Sequence, residues 1–307
     1  MYELKIGSRT IAITHGENIL FPRAKISKNE LIDYYLNIAD FLIPHMKNRP
    51  ISMQRFVDGI DHPGFYQKNA GDYFPRWIKT VPIAKKDDGN VKYVVCNDVA
   101  TLVYLANQLS ITFHLWLSRI DKLNFPDRMI FDLDPSVKGF APVRTAARQL
   151  RNLLEDELGL IAFLMTTGSR GVHVVVPLDR KKDFDFVRMF ARDVAQVLVA
   201  RFPKTLTIEV RKIKRGKRVF IDYLRNAFGQ TGVAPYCVRA KRGAPVATPI
   251  EWKELGRVTP HKFTIKNIFK RLSKKDDPWR NINKQACSLK RARMTLDKLL
   301  EKSEGKK

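Results

Sequence analysis

The segment Arg128–Asp134 constrains the fold most strongly, because it predicts a strand that ends in two carboxylates. Side chains alternate along a strand, so Asp132 and Asp134 leave the same face while Phe131 and Leu133 point into the core. At a rise of about 3.3 Å per residue, the Cα atoms of the two aspartates lie roughly 6.6 Å apart. That separation suits two divalent cations about 3.5–4 Å apart that both side chains bridge, as in phosphoryl transfer.

A third carboxylate, Asp222, interrupts an otherwise apolar run that predicts a strand over residues 218–224. An unpaired charge inside such a strand is unfavourable, and a bound ion would stabilise it. Carboxylate oxygens are hard ligands, which Mg²⁺ and Mn²⁺ prefer. The alternative stays open that the first two acids only end a strand before Pro135 and that Asp222 pairs with an arginine.

The loop 167–171 has the sequence Thr-Gly-Ser-Arg-Gly and joins two predicted strands, residues 161–166 and 172–176. Its two glycines let backbone N–H groups approach an anion, and Ser169 and Arg170 add side-chain donors. No Walker phosphate-binding motif occurs in the chain. Phosphate binding and an ordinary hairpin turn both fit this sequence.

Two histidines, His114 and His173, are each predicted on the polar face of a strand. In the alternating strand 111–117 the odd positions are apolar, so His114 lies on the other face beside Thr112 and Trp116. Either histidine alone would fit a structural role. Two histidines near an acidic pair are candidate ligands of a triphosphate.

The remaining patterns predict an α/β chain of the α+β type, with helices that flank a mixed or antiparallel sheet. A capping box at Ser27 and Glu30 opens an amphipathic helix, and Asp98 caps a second helix. Further predicted elements are a strand over 206–210 and a helix over 183–201. We expect one catalytic domain over residues 1–283, with the acidic site on 111–240, and a basic tail or helix over 284–307.

The chain carries 56 Lys and Arg against 31 Asp and Glu, a formal net charge of +25 at pH 7. Such an excess indicates a polyanionic partner, either nucleic acid or a membrane surface. No apolar run approaches the about 20 residues that span a bilayer, and the N-terminus lacks the apolar region of a signal peptide. The three cysteines form no CxxC pair, which argues against a zinc site or a disulfide framework. We therefore expect a cytoplasmic protein without a membrane partner.

Several motifs follow one another in an order that is specific in combination. The central ones are Phe-Asp-Leu-Asp-Pro (131–135), Gly-Ser-Arg-Gly-Val-His-Val-Val-Val-Pro (168–177), Ile-Asp-Tyr-Leu-Arg-Asn-Ala-Phe-Gly-Gln-Thr (221–231) and Val-Ala-Pro-Tyr-Cys-Val-Arg-Ala (233–240). Ile-Leu-Phe-Pro (19–22), Arg-Pro-Ile-Ser-Met-Gln-Arg-Phe-Val-Asp-Gly (49–59) and Phe-Tyr-Gln-Lys (65–68) precede them. Over residues 14–280 the chain resembles the polymerase domain of bacterial ATP-dependent DNA ligase D, a branch of the archaeo-eukaryotic primase superfamily.

The resemblance implies a primase-like catalytic core and a template-directed polymerase that adds nucleotides at blunt or gapped DNA ends in nonhomologous end joining. NTPs and dNTPs would be its substrates, with ribonucleotides preferred, and two Mn²⁺ or Mg²⁺ ions its cofactors. The implied partners are DNA ends with a 5′-phosphate, the protein Ku, and ligase and phosphoesterase domains in cis or in trans. The implied location is the bacterial cytoplasm, in association with the nucleoid.

Matched position by position, the resemblance assigns the catalytic metal site to Asp132, Asp134 and Asp222. The residues that it assigns to the incoming nucleotide are His114, Ser169, Arg170, His173, Arg225, Gln230 and Arg239. Arg170 stands where the family commonly has lysine, which keeps the charge but changes the donor geometry. The residues assigned to DNA are Lys28, Arg55, Phe65, Tyr66 and Lys68, of which the two aromatic side chains would stack on the template.

Lys28 fits the family's pocket for the downstream 5′-phosphate, because it lies in the first turn of a helix whose N-terminus favours anions. Many members have a lysine just before Leu-Phe-Pro, where this chain has Asn18. A weaker pocket, or one that uses Lys25 instead, is therefore an open alternative.

Other classes of function also stay open. They are a primase-polymerase that acts alone outside end joining, a two-metal nuclease, and a non-catalytic module that binds DNA ends. The nucleotide-binding set argues against the nuclease, and the acidic triad argues against the binding module. DNA ligation is excluded, because Phe56 stands where a ligase KxDG motif has the adenylated lysine.

Overall fold

The computed structural model describes residues 1–85 and 89–304, without the side chains of residues 303 and 304. These residues form two compact units. Unit 1 comprises Met1–Asp121, Val233–Thr248 and Phe263–Lys275. Unit 2 comprises Lys122–Gly232, Pro249–Lys262 and the described chain from Asp276 onward.

The strands and helices are numbered here in chain order. The strands are β1 (Tyr2–Ile6), β2 (Arg9–Ile13), β3 (Ile19–Phe21), β4 (Ile26–Ser27), β5 (Pro50–Arg55), β6 (Phe65–Gln67), β7 (Thr80–Ala84), β8 (Asn90–Val95), β9 (Ser110–Trp116), β10 (Arg128–Asp134), β11 (Phe163–Thr166), β12 (Val172–Pro177), β13 (Leu206–Thr207), β14 (Val219–Asp222), β15 (Thr231–Val233) and β16 (Thr248–Ile250). The helices are α1 (Lys28–Met46), α2 (Val99–Asn107), α3 (Ala141–Asn152), α4 (Phe184–Arg201), α5 (Ile268–Leu272) and α6 (Leu289–Glu304).

Unit 1 is built on an antiparallel sheet with the strand order β9–β5–β8–β7, in which β6 also pairs with β5. Helix α1 begins at the predicted capping box. The Glu30 amide donates to Ser27 Oγ (3.2 Å), and the Ser27 amide donates to the Glu30 carboxylate (2.8 Å). Asp98 caps α2, as predicted, by accepting a hydrogen bond from the Thr101 amide. The face predicted to be apolar on α1 is buried, namely Leu31, Tyr35, Ile38, Ala39 and Leu42.

Unit 2 contains a mixed sheet with the strand order β13–β14–β10–β12–β11. Strands β13 and β14 are parallel, and the other neighbours are antiparallel. The predicted α/β fold with a mixed sheet and flanking helices is thus confirmed. Strand β10 has its predicted bounds, and Phe131 and Leu133 are fully buried. Because β10 is paired along both edges, the positions of its two acids are fixed by register.

Three predicted strands are shorter in the structure, and the first of them, β11, begins at Phe163 instead of residue 161. Strand β13 covers two residues, because the carbonyls of Glu209 and Val210 accept hydrogen bonds from the Arg215 guanidinium in the loop that follows. Strand β14 ends at Asp222, because the chain then enters a 3-10 helix over Leu224–Asn226. The prediction of an acid inside an apolar strand was therefore wrong, since Asp222 is the last residue of its strand.

The C-terminal helix α6 packs against α4 through a face in which Leu289, Ala292 and Leu296 are buried. Arg293 Nη1 of α6 lies 2.6 Å from Asp193 Oδ2 of α4. Of the tail or helix expected for residues 284–307, the structure thus has a helix with one buried face, and the single domain over 1–283 stays a prediction. None of the described helices combines the length and the apolar composition that crossing a bilayer requires.

Candidate active site

The register of the unit 2 sheet brings four polar side chains to one face. Asp132 on β10 is paired with Asp222 on β14 and, along its other edge, with His173 on β12. Directly opposed residues on paired strands point to the same face, and Asp134 lies two residues further along β10. Asp132 and His173 are almost fully buried, with 5% and 3% of their surfaces exposed. The structure therefore brings together the three acids that the sequence singled out.

An arginine and a histidine contact these carboxylates. Arg225, on the 3-10 helix after β14, places Nη2 3.2 Å from Asp132 Oδ2 and Nε 3.6 Å from Asp222 Oδ2. His173 Nε2 lies 3.5 Å from the same Asp132 oxygen. Its Nδ1 is buried and has no hydrogen-bond partner among the described residues, so it remains open to a ligand. The alternative in which Asp222 pairs with an arginine thus holds alongside the clustering of the acids.

Burial and like charge alter the protonation of this cluster. Burial, followed by the charge of Asp132, raises the pKa of Asp134. Burial also raises the pKa of Asp222, although Arg225 opposes the shift. Burial alone would lower the pKa of Arg225, but the neighbouring carboxylates together outweigh it and raise that pKa. The face therefore concentrates negative charge that a cation would stabilise.

The predicted phosphate-binding loop is a hairpin between β11 and β12. The amide and the hydroxyl of Thr167 both donate to the Gly171 carbonyl, at 3.1 and 3.0 Å. A Cβ atom at Gly171 would lie 2.0 Å from the Leu133 carbonyl oxygen and 3.2 Å from a carboxylate oxygen of Asp134. Only glycine lets the loop lie this close to β10. The charge of Arg170 in this loop lowers the pKa of Asp134, against the larger effects that raise it.

The three acids fit a divalent metal by their chemistry. They offer hard carboxylate oxygens from neighbouring positions of one sheet face. Among the described residues, no group of three or more His, Cys, Asp or Glu side chains is placed to hold an ion together. Two of the three carboxylates contact Arg225 instead. Metal binding by this triad therefore stays a prediction, and it requires the carboxylates to turn away from the guanidinium.

A second cluster surrounds Arg55 in unit 1. Arg55 Nη1 donates to Gln67 Oε1 (2.7 Å) and to the Tyr73 hydroxyl (2.9 Å), and its guanidinium lies 5.6 Å from the centre of the Phe65 ring. Phe65 and Tyr73 are 47% and 60% exposed. Exposed rings held around a cation can stack on nucleic-acid bases. Sequence reasoning missed Gln67, which is the third residue of the Phe-Tyr-Gln-Lys motif, and Tyr73, which follows that motif.

Two other predicted residues of unit 1 are in contact. Tyr66 and His114 pack edge to face, with their ring centres 5.5 Å apart. Their partners on β5 are Gln54 and Ser52, two residues apart, so both rings lie on one face of that sheet. A residue predicted to bind the template thus touches one predicted to bind the nucleotide.

The remaining predicted residues are dispersed. Ser169 is half-buried, and Lys68 and Gln230 are exposed. Arg239, in unit 1, is half-buried. Lys28 is only 4% exposed, and its ammonium group donates to the Thr14 carbonyl at 2.6 Å. Burial lowers the pKa of Lys28. The structure thus gives Lys28 a contact within the protein, and its binding of a phosphate stays a prediction.

Residues 27–279 match the family model described as LigD, primase-polymerase domain. Over 272 residues the chain is 31% identical to the bifunctional non-homologous end joining protein LigD of Bacillus subtilis (strain 168). This match covers 88% of the chain and 43% of that protein. Over 273 residues it is 34% identical to the multifunctional non-homologous end joining protein LigD of Pseudomonas aeruginosa. This match covers 88% of the chain and 32% of that protein. The chain thus spans less than half the length of these relatives.

A solved structure is also similar to this chain. It is the polymerase domain from Mycobacterium tuberculosis ligase D in complex with DNA, with a TM-score of 0.84 and 27% sequence identity. The match covers 90% of this chain and 99% of that chain. The resemblance read from the motifs is confirmed by these matches.

Proposed function

The chain belongs to the LigD primase-polymerase domain family and is a nucleotidyltransferase, and from this premise we propose that it extends 3′ ends of nucleic-acid strands under the direction of a template. The observation that carries the proposal is the cluster of Asp132, Asp134 and Asp222 on one face of the unit 2 sheet, beside Arg225 and His173. Such a cluster suits a reaction in which a polyanionic substrate meets metal-binding carboxylates.

The carboxylates and the nitrogen-bearing side chains of the site have different roles, metal binding and triphosphate binding. Asp132, Asp134 and Asp222 would hold two Mn²⁺ or Mg²⁺ ions, which when bound activate the attacking 3′-hydroxyl and stabilise charge on the transferring phosphate. Arg225 stands beside the same carboxylates and offers the donor fork that phosphate oxygens prefer. His173 Nδ1 adds a buried polar atom without a protein partner among the described residues. These groups bind and orient the triphosphate.

The other predicted nucleotide ligands belong to the same proposal. Arg170 belongs to the hairpin that lies against Asp134, and we expect its positive charge to attract the triphosphate. Ser169 would add a hydroxyl donor from the same hairpin. His114, Gln230 and Arg239 are proposed ligands on the strength of the family resemblance alone.

The cluster around Arg55 supports a template-binding role for unit 1. Phe65 and Tyr66 expose flat rings, Arg55 lies over the Phe65 ring, and Lys68 adds an exposed positive charge two residues after Tyr66. Stacking on an aromatic ring tolerates any base, which suits an enzyme that must accept every template sequence. A preference for ribonucleotides, and for manganese as the metal ion, is expected from the resemblance.

The two relatives named above are end-joining proteins, and the solved relative is in complex with DNA. We extend that context to this chain. It would act at gaps and double-strand breaks in nonhomologous end joining, on ends that carry a 5′-phosphate. Ku and ligase or phosphoesterase domains would be its partners.

Primer extension on gapped, 5′-phosphorylated DNA tests the proposal, with NTPs or dNTPs and with Mn²⁺ or Mg²⁺. Asp132→Ala, Asp134→Ala and Asp222→Ala should each abolish extension while DNA binding persists, because each removes a metal ligand. Asp185→Ala is the matched control, since Asp185 is an exposed acid in the first turn of α4. Shortened strands instead of longer ones would indicate a nuclease. Extension of near wild-type rate by Asp222→Ala would remove that residue from the site.

A further inference from the structure

We propose that Asn226 is a positioning residue, which holds Arg225 against the catalytic carboxylates by acting as the missing strand partner of β10. The inference rests on the proposed function, because it concerns the same site. No motif assignment singled out Asn226, although its neighbour Arg225 was predicted as a nucleotide ligand.

The ladder between β10 and β14 stops at Asp132, two residues before Ile130. The registered pairs are Asp134 with Phe220, Leu133 with Ile221, and Asp132 with Asp222. Continuing this register would pair Ile130 with residue 224. The chain has by then turned into the 3-10 helix Leu224–Asn226, so none of the described strands lies opposite Ile130 at this edge.

The Asn226 side chain takes the place of that strand. Its Oδ1 accepts from the Ile130 amide at 2.8 Å, and its Nδ2 donates to the Ile130 carbonyl at 2.8 Å. One carboxamide thus makes both hydrogen bonds that a paired strand residue would make. Asn226 is fully buried, so without it both backbone groups would lose their partner away from water.

The same carboxamide also closes the turn that carries Arg225. Asn226 Nδ2 donates to the Tyr223 carbonyl at 2.8 Å, and the backbone N–H of Asn226 donates to the same carbonyl at 3.2 Å. At the start of the turn, the Leu224 amide donates to Asp222 Oδ1 at 2.9 Å. The turn is therefore tied at one end to a catalytic acid and at the other to β10. Arg225 lies between these ties, which fixes where its guanidinium meets Asp132 and Asp222.

A double-mutant cycle on kcat/KM for the nucleotide tests the inference, with wild type, Asn226→Ala, Arg225→Ala and the double variant. A misplaced Arg225 should lower kcat/KM in Asn226→Ala by about 10- to 100-fold. If Asn226 acts through Arg225, its substitution should change kcat/KM by less than about threefold in the Arg225→Ala background. Equal losses in both backgrounds would mean a merely structural role and would overturn the inference.

Hydrogen exchange gives a readout that does not depend on activity. The Ile130 amide should exchange faster in Asn226→Ala than in wild type, because its acceptor is gone. If Asn226→Ala does not fold, Asn226→Asp enters the same cycle, since it keeps the volume and the acceptor but loses both donated bonds. Unchanged Ile130 exchange in Asn226→Ala would also overturn the inference.

Asn107→Asp is the matched control, because Asn107 is a buried asparagine of unit 1 whose Nδ2 donates to the Ala12 carbonyl at 3.0 Å. It should lower the melting temperature and leave kcat/KM for the nucleotide unchanged. Wild type that fails to extend any primer would refute the proposed function. Wild type that extends primers while the cycle is additive would refute only the role of Asn226.

Discussion

At the scale of single residues, the site gathers buried carboxylates and an arginine, and a protein core does not favour such charges. Asp132 is buried, and Asp134 stands beside it with its pKa raised by burial and by that neighbour. Arg225 offsets part of this charge through its contacts with Asp132 and Asp222. Groups that bind a metal or a substrate commonly lower the stability of the free protein, because their charge is arranged for the ligand.

Asp134→Asn should therefore stabilise the metal-free protein while abolishing nucleotide addition. The ionised carboxyl is disfavoured by burial and by Asp132, and the amide removes that charge at the same volume. We expect the free energy of unfolding to rise by about 0.5–2 kcal/mol, measured by urea denaturation at pH 7. Since the pKa of Asp134 is raised in the folded state, the gain should shrink as the pH falls and the native carboxyl becomes protonated. A variant less stable than wild type at pH 7 would contradict this view of the site.

At the scale of elements, the β11–β12 hairpin depends on one close approach. Gly171 lies against the Leu133 carbonyl, so the hairpin and β10 share a contact that no side chain could occupy. The hairpin carries Arg170 and Ser169, the predicted triphosphate ligands, and leads into His173 on β12. Its placement beside β10 therefore links strand packing directly to the geometry of the site.

Gly171→Ala should damage both stability and activity. The new Cβ would lie 2.0 Å from the Leu133 carbonyl oxygen, which forces the hairpin or β10 to move. We expect a loss of about 1–3 kcal/mol in the free energy of unfolding, typical of overpacking, with a large fall in kcat for extension. Gly256→Ala is the control, because the nearest atom to its Cβ would be Arg148 Nη2 at 3.6 Å. Equal stability of the two variants would show that the contact at Gly171 relaxes without cost.

The N-terminus of α1 is the second element with a testable role. Lys28 → Ala should reduce the preference for a gapped duplex that carries a 5′-phosphate over one that lacks it. A charge-assisted contact of about 1.5–3 kcal/mol corresponds to roughly a 10- to 150-fold preference in wild type. Because Lys28 also donates to the Thr14 carbonyl, melting temperatures must be compared. Lys25→Ala tests the alternative that the exposed Lys25 binds the 5′-phosphate instead. Loss of the preference in that variant alone would assign the phosphate site to Lys25.

At the scale of the whole molecule, the net charge of +25 favours association with a polyanion. Basic residues are spread along the chain, and four of the five in α6 are exposed, while the fifth, Arg293, contacts Asp193 of α4. Distributed charge of this kind attracts a polyanion over a distance and releases its counterions on contact. Base stacking at Phe65 and Tyr66 would then act over a much shorter range.

DNA affinity should consequently fall steeply with ionic strength. Proteins that make six to ten phosphate contacts lose about 10³- to 10⁵-fold in affinity between about 50 and 200 mM salt. We expect a loss of at least about 100-fold for this protein on a gapped duplex, measured by fluorescence anisotropy. Phe65→Ala should weaken binding at every salt concentration without changing the slope, because stacking releases no counterions. A loss below about fivefold over that range would contradict a mainly electrostatic association.

Local patterns in the sequence determined the elements and much of the candidate site. Alternation gave β10 its bounds and put Asp132 and Asp134 on one face, because side-chain direction follows directly from extended backbone geometry. The Ser27 capping box likewise predicted the start of α1, since its hydrogen bonds join residues only three apart. Motif order then identified the family.

Only the tertiary structure decided how distant segments meet. The pairing of Asp132 with Asp222 depends on the register between two strands that are far apart in the chain, which no local pattern specifies. The hydrogen bonds by which the Asn226 side chain takes the place of a strand residue likewise join segments that are far apart in the chain. Lys28 was predicted to be exposed to a phosphate but is buried against Thr14, because packing of the chain before α1 covers it. Periodicity fixes the direction of a side chain, whereas its neighbours are set by the packing of the whole fold.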